Sequence, residues 1–460
     1  MRVPSLVVLA SAVLLGTVSH AAQVPASGPL PLGGQSPPAA TTPVVPRAYS
    51  GPPLSVQNAV AEALAANAGL SAVEARARMA AARPDVERAL MPPMFEAQVF
   101  QWPFNTVSPA DAQTMFTVTQ ELPAKSKREA RVALAEREAE MAGRQAAVRV
   151  RDITAGVKSA YADLWLARTT LRIYDEGLDL LRQVADAAEA RYAAGRGAQQ
   201  DVLKAIVEMA RLRESAVTVT EEARVAEARL NTLLGRGADA AVGPLDEPAD
   251  APPLLPVSRL LAIARERQPE LAVNAAAGAA AEARLAVART ETKPDWVVSG
   301  GYMFMPDMVD AWTARVGVTW PTAPWARRRV TAMAEEAARE KEAVAADRRA
   351  IESQLGQMVQ EAWVKAAAAG ERAALVRTSV IPPLEHGLEI ARIAYQSDRG
   401  TFLDLLDTQR MLLDARLDLS RAIARREAAL AQLELAVGAD RVELSAGSVL
   451  PPPGSASASR

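Results

Sequence analysis

A chain of 460 residues, half of them hydrophobic, is long enough for two or three ordinary domains or for one very elongated one. It has no cysteine and only two histidines, which excludes disulfides, thiol chemistry, a lipidated N-terminal cysteine and a histidine-based metal site within one protomer. Its formal net charge of −2 at pH 7 gives no reason to expect a nucleic-acid partner.

Residues 1–21 have the order of a secretory signal peptide, with a basic start, an apolar run from 7 to 15 and small residues at the end. We therefore expect the mature chain to lie outside the cytoplasm. A Pro-rich linker is expected over 22–53, and a disordered tail over 441–460. No later window approaches the roughly 18 to 20 continuous apolar residues of a transmembrane helix, so any membrane-spanning part should consist of strands.

Two halves of the chain, residues 54–240 and 255–440, repeat one plan at an offset of 201 to 203 residues. The recurring pairs are Leu54 and Leu255, Leu70 and Leu271, Pro93 and Pro294, Tyr192 and Tyr395, Gly197 and Gly400, Asp201 and Asp404, Leu203 and Leu406, and Gly235 and Gly438.

Each half predicts a helix, two short strands, a very long helix, a turn and a last helix. The predicted helices are 54–92, 125–194 and 198–234 in the first half, and 255–293, 327–397 and 401–437 in the second. At about 1.5 Å per residue a long helix spans on the order of 100 Å, which two shorter helices stacked end to end would match. The pattern favours a long antiparallel column of helices, either hollow or solid. Pro382 and Pro383 should kink or break the second long helix, as a hinge or as a static bend.

Four short strands are predicted at 94–102, 113–122, 296–305 and 312–321, and ten of the thirteen Trp and Phe residues lie within 94–122 and 296–325. The last strand alternates apolar and polar residues and has Trp312 and Trp320 at its ends, which is typical of a transmembrane barrel strand. The first alternates poorly and is inferred by symmetry. Trp102, Trp296, Trp312 and Trp320 form the expected aromatic belt. Four strands cannot close a barrel, and open edges are costly in lipid, so three copies should supply a 12-stranded β-barrel.

These features resemble the TolC-like outer-membrane efflux family, and the resemblance covers about 54 to 440. It rests on Tyr192-Ala193-Ala194-Gly195 leading to Asp201, and on Tyr395 leading to Asp404 and Asp407. It implies a homotrimer in the outer membrane of a Gram-negative-type cell, with a long antiparallel α-helical barrel that continues the 12-stranded β-barrel as a tunnel across the periplasm. It also implies docking onto a periplasmic adaptor protein linked to an inner-membrane pump. Chain length and sparse loops look similar to the heavy-metal efflux branch. The implied function is export of small molecules or metal ions.

The resemblance also implies the functional residues. The periplasmic tip turns would contain Tyr192, Gly195, Gly197, Tyr395, Asp398 and Gly400. Asp404 and Asp407, with Asp201 in the first half, match acidic rings at the pore entrance, although first-turn acids also suit a helix N-terminus without any further role. Asp398 stands where many relatives have glycine, which leaves the second tip's conformation open.

A periplasmic adaptor or a structural coiled-coil scaffold of an export complex is the alternative. An adaptor would need β-domains of ~80 residues beside its helical hairpin, and these are missing, while prolines interrupt the heptads of a scaffold. No nucleophile–base pair or metal-ligand cluster emerges from the sequence, so we expect neither an enzyme nor a cofactor.

Overall fold

The structure is a computed structural model that describes residues 49, 51–102, 104, 108–250, 253–306 and 308–445. The predicted signal peptide 1–21, most of the linker and the tail from residue 446 lie outside the described residues. Residues 441–445 contradict the expected disordered tail, because Leu444 is fully buried and its carbonyl accepts a hydrogen bond from Leu255 N–H at 2.9 Å.

The described chain contains two consecutive repeats of helices and strands. The first repeat has α1 (Val56–Ala66), α2 (Ala68–Arg88), β1 (Met94–Gln101), β2 (Gln113–Leu122), α3 (Lys125–Ala193) and α4 (Gln199–Leu234). The second has α5 (Val257–Arg267), α6 (Pro269–Thr290), β3 (Trp296–Phe304), β4 (Ala311–Val318), α7 (Arg327–Leu375), a π-helical segment (Val376–Val380), α8 (Ile381–Gln396) and α9 (Phe402–Val437).

The helices predicted over 54–92 and 255–293 are each two helices, which corrects the prediction. Asn67 adopts an extended backbone between α1 and α2, and its side-chain oxygen accepts a hydrogen bond from Leu70 N–H at 3.2 Å. Such an N-cap competes with continuing the helix. In the second repeat Gln268 is the extended residue, and Pro269 follows it as the first residue of α6.

The two breaks lie where another helix ends. The side-chain amide of Asn67 donates to the carbonyl of Leu233 near the end of α4, at 3.3 Å. In the second repeat Gln268 donates to Leu435 near the end of α9, also at 3.3 Å. In each repeat, the break between the two short helices therefore contacts the end of that repeat's last helix, α4 or α9. Such end contacts are what end-to-end stacking of shorter helices beside one long helix requires.

Helix α3 forms the centre of the packing and contacts α2, α4, α6 and α9, while α7 contacts α6 and α9. By length and composition alone, Val257–Thr290 is apolar enough to cross a membrane. In the structure this stretch is the helix pair α5 and α6, which packs against α3, α7 and α9.

The double proline does not interrupt the second long helix. Pro382 and Pro383 lie in the first turn of α8, directly after the π-helical segment. Because proline has no N–H, the helical bonding pattern must change ahead of it, and a π-helical turn accommodates that change without a break. Arg377 in this segment donates two hydrogen bonds to Asp250, at 2.9 and 3.1 Å. Asp250 belongs to the connection between the repeats, so these bonds hold that connection against the π-helical segment.

The four strands form one antiparallel sheet in the order β1-β2-β3-β4, as the sequence predicts. Its central pair, β2 with β3, joins the two repeats. One face is apolar and exposed, with Trp296 opposite Val318, whereas Ser299 faces Arg315 on the other. β4 ends at Val318 instead of 321, because the chain then enters a series of turns.

Candidate pore-entrance site and aromatic belt

The first tip, residues 194–198, connects α3 to α4. Gly195 has a φ of +69°, and its N–H donates to the carbonyl of Tyr192 at 2.9 Å. A left-handed residue is a common way to end a helix, and glycine adopts it without steric cost. A Cβ on Gly197 would lie 3.1 Å from the Tyr192 nitrogen, so this position favours glycine.

The second tip, residues 397–401, connects α8 to α9 with the same backbone turn. Asp398 has a φ of +62° and is the only non-glycine residue with a positive φ in the described part of the chain. Its N–H donates to the carbonyl of Tyr395 at 3.4 Å, as Gly195 does to Tyr192. A Cβ on Gly400 would lie 3.2 Å from the Tyr395 nitrogen. The aspartate therefore does not change the turn that glycine makes in the first tip.

Arg191, at the end of α3, explains how an aspartate is held there. Its guanidinium pairs with the Asp398 carboxylate, donates to the Tyr395 carbonyl, and lies 4.3 Å from the centre of the Tyr395 ring. Arg196 of the first tip is a second cation, 4.0 Å from the same carboxylate. These contacts offset the cost of the left-handed backbone and connect the two tips.

Tyr395 acts as a packing residue beneath the second tip. It is 3% exposed, whereas Tyr192 at the equivalent position is 47% exposed. Its ring packs edge-on against Phe402 at 5.9 Å between centroids. Burial raises the pKa of the Tyr395 hydroxyl; the Arg191 guanidinium lowers it in part, and the Asp201 and Asp398 carboxylates raise it. The hydroxyl has no hydrogen-bond partner among the described residues, so the ring and not the hydroxyl makes the contact.

The predicted entrance acids differ in their surroundings. Asp404 forms a capping box with Thr401: its N–H donates to the Thr401 hydroxyl at 3.2 Å, and that hydroxyl donates to the carboxylate at 2.7 Å. Asp407 is exposed, with Arg410 at 3.7 Å. Asp201 is half-buried in the first turn of α4. Asp404 and Asp407 therefore lie one turn apart and exposed, and Asp201 does not share their environment.

A further ion pair joins the two helices that follow the tips. Arg410 of α9 donates to both carboxylate oxygens of Glu208 on α4, at 2.9 and 2.5 Å. This hydrogen bonding lowers the pKa of Glu208, so the pair stays charged well into the acid range. The sequence reasoning did not identify Arg410, Glu208 or Arg191. The sequence marks Arg191 only by a difference between the two repeats, since the equivalent position in the second repeat is Ala394.

The four predicted belt tryptophans are exposed and lie at the two ends of the sheet. Trp296 is the first residue of β3 and pairs with Val318, the last residue of β4. Trp320 comes two residues later, at the same end of the sheet. Trp312 pairs across strands with Tyr302 at the other end, with ring centroids 5.2 Å apart. Trp102 follows β1 at that same end. Exposed aromatic side chains at both ends of the sheet are what the predicted belt requires.

The sequence profile described as "Outer membrane efflux protein" matches residues 59–236 and 260–439, one match in each repeat. The chain belongs to the outer membrane efflux protein family. The efflux protein is therefore an outer-membrane channel that extends into the periplasm and serves tripartite efflux systems, and it is not an enzyme. The family forms trimeric channels in such pumps, which confirms the coarser part of the predicted partners.

Individual relatives agree with this assignment. Over 293 residues, which are 63% of this chain and 69% of the relative, the efflux protein is 27% identical to the cobalt-zinc-cadmium resistance protein CzcC of Cupriavidus metallidurans. Among solved structures, the outer-membrane channel OprN has a TM-score of 0.70 at 21% identity, over 84% of this chain and 90% of that one. CusC has a TM-score of 0.70 at 18% identity, over 86% and 97%. These structural likenesses confirm the predicted fold.

Proposed function

We propose that this efflux protein acts as a homotrimer in which Asp404 and Asp407 form an acidic ring at the periplasmic entrance of the pore. The observation that carries the proposal is the exposure of both carboxylates in the first two turns of α9, directly after the second tip. Three-fold symmetry would set each carboxylate opposite two copies of itself, and rings of carboxylates favour cations. Asp201 would contribute less, because it is half-buried and Lys204 occupies the position equivalent to Asp407.

We further propose that both tips dock onto a periplasmic adaptor that leads to an inner-membrane pump. Tyr192 at the first tip is exposed, as are Leu203 and Ile206 in the first turns of α4. Exposed apolar side chains in consecutive turns are typical of a protein contact surface. Gly195, Gly197 and Gly400 would keep the turns compact enough for such a contact.

We propose divalent metal cations as the transported class. The similarity to CzcC, a cobalt-zinc-cadmium resistance protein, supports this substrate class, and an acidic entrance would raise the local concentration of cations.

Planar-bilayer recording tests the acidic ring directly. D404N/D407N should lower the preference for cations over anions, most clearly at low salt, where charge screening is weak. E74Q/D85N removes two exposed acids from α2, near the sheet, and should leave selectivity unchanged. Equal selectivity in the D404N/D407N variant and the wild type would remove both residues from the pore.

Growth of a strain lacking the chain tests the substrate class. Deletion should sensitise cells to cobalt, zinc or cadmium salts, and the wild-type chain should restore resistance. Sensitivity to organic compounds alone would contradict metal export. It would not decide whether the acidic ring exists, which the bilayer recording tests separately.

A further inference from the structure

The two junctions at which a strand leads into a long helix differ in how their basic residues are used. In the first junction, residues 122–131, Lys127 is only 2% exposed. Its amino group lies 2.7 Å from Asp295 and 3.3 Å from Glu291, and Arg131 lies 2.8 Å from Glu291. Lys127 and Arg131 are therefore neutralised within the protomer, and the exposed Lys125 lies 3.6 Å from Glu129.

The second junction, residues 319–330, has the opposite character. Arg327, Arg328 and Arg329 are exposed, and their side chains form no ion pair or hydrogen bond within the described chain. The sequence from 311 to 334 contains no aspartate or glutamate, so no acid is available nearby along the chain. Three consecutive arginines without counter-charges make the start of α7 strongly positive, so this surface attracts an anion from outside.

Two tryptophans lie beside this arginine cluster, defined as Arg327, Arg328 and Arg329. Trp320 and Trp325 are both exposed and pack edge-on, with 6.0 Å between ring centroids. The connection is compact, since Ala323 N–H donates to Trp320 O at 3.2 Å and Arg327 N–H donates to Ala323 O at 2.8 Å. The indoles and the start of α7 therefore belong to one local structure.

This local structure continues the membrane-facing surface of the sheet. Val316, Val318 and Trp320 are exposed at alternating positions along β4 and the residues after it. Because the sheet lies in the hydrocarbon and the helices extend into the periplasm, the second junction lies at the periplasmic headgroup level. Tryptophan favours that level, and guanidinium groups bind phosphate oxygens through paired hydrogen bonds.

We propose that the arginine cluster binds the phosphate of an anionic phospholipid in the periplasmic leaflet of the outer membrane, with the Trp320–Trp325 pair against its upper acyl and glycerol region. Charge complementarity and continuity with the lipid-facing sheet favour this occupant over a protein. The first junction provides no equivalent site, because Lys127 is already paired. The proposal depends on the outer-membrane location and not on the acidic ring.

Native mass spectrometry of the full-length protein, purified as a trimer in non-ionic detergent, tests it. The wild type should retain phosphatidylglycerol in preference to phosphatidylethanolamine, and millimolar inorganic phosphate should not displace it. R327Q/R328Q/R329Q should reduce phosphatidylglycerol retention roughly tenfold or more, because each basic residue contributes to attraction of anionic lipid. R327K/R328K/R329K keeps the charge but loses the paired hydrogen bonds, so its retention should lie between the wild type and the glutamine variant.

R224Q/R265Q/R425Q is the matched control, since it removes the same charge from exposed, unpaired positions on helices of the described chain and should leave retention unchanged. Equal retention of both lipids by the wild type, or unchanged retention in the glutamine variant, would overturn the proposal. Loss of the trimer with unchanged lipid retention per chain would assign the arginines to a subunit contact instead. Displacement by inorganic phosphate would identify a free-anion site and also overturn it.

Discussion

Arg191 of the first repeat and Asp398 of the second form an ion pair that connects the two tips of one protomer. Arg191 ends α3, which begins beside the sheet, so the contact lies at the end of the helices away from the strands. Together with the Arg410–Glu208 pair and the buried apolar side chains between these helices, it holds the α3–α4 hairpin against α8 and α9 at the proposed entrance.

Replacing Arg191 by alanine should let the two hairpins separate more readily. A partly exposed ion pair contributes about 1 kcal/mol, and the charged hydrogen bond to the Tyr395 carbonyl about as much. We expect higher single-channel conductance in planar bilayers and faster tryptic cleavage at the tips. R182A removes an arginine that pairs with Asp179 inside α3, and it should change neither property. Wild-type conductance in R191A would show that this contact does not restrain the entrance.

Substitutions at Asp398 separate backbone strain from charge. Asp398→Asn keeps a residue that tolerates a left-handed backbone and removes only the ion pairs, whereas Asp398→Gly removes the strain as well. Asp398→Val should be the most damaging, because a β-branched residue at this φ costs about 1–2 kcal/mol or more. Thermal unfolding should rank valine as the least stable. If asparagine and valine unfold at the same temperature, the left-handed backbone is not what limits this position.

Lys158 of α3 pairs with Glu434, a buried residue of α9. Burial raises the pKa of Glu434, and Lys158 partly offsets that rise. A carboxyl with a raised pKa keeps its proton to higher pH when folded, so its ionisation reduces stability as the pH rises.

Lys158→Ala should therefore cost about 3 kcal/mol at pH 8 and less at pH 5. Thermal unfolding at both values measures this, with K365A, an exposed pair on α7, as the pH-insensitive control. Equal losses at pH 5 and pH 8 would contradict it.

Lys127 stabilises the first strand-to-helix junction. Its amino group is the buried counter-charge of Asp295, which also accepts the Ala124 N–H at 2.9 Å. Lys127→Met would leave that carboxylate without its cation and should cost about 3 kcal/mol. The mutant trimer should dissociate at a lower temperature on a gel than the wild type. Lys125→Met, at an exposed neighbouring position, should leave the dissociation temperature unchanged. An equal decrease in both variants would show that the buried Lys127 contact does not stabilise the trimer.

The repeat made much of the architecture predictable. The weakly alternating strand at 94 was inferred only from its counterpart in the second half, and β1 lies there and pairs with β2. The break at Asn67 was missed, because one polar residue in a helical pattern becomes a cap only when another helix ends beside it. The double proline was expected to interrupt the helix, but periodicity does not report the π-helical segment that accommodates it.

The site was predictable only in part, for a physical reason. The tip glycines and Asp398 are local turn residues, and their positions follow from the spacing after Tyr192 and Tyr395. Arg191 contacts the other repeat, and no local pattern indicates a contact across that separation. Lys127 is likewise buried by acidic partners that come from the second repeat, so nothing near it in the sequence indicates its burial.

The strand order has a consequence for mutations in the barrel wall. β1 and β4 are the two edges of the sheet, and they come from different repeats. In a closed ring of identical copies, β1 of each subunit must meet β4 of its neighbour, so every seam is chemically the same. A single inherited change on either edge would therefore weaken all the seams at once, and no intact seam would remain to hold the ring closed.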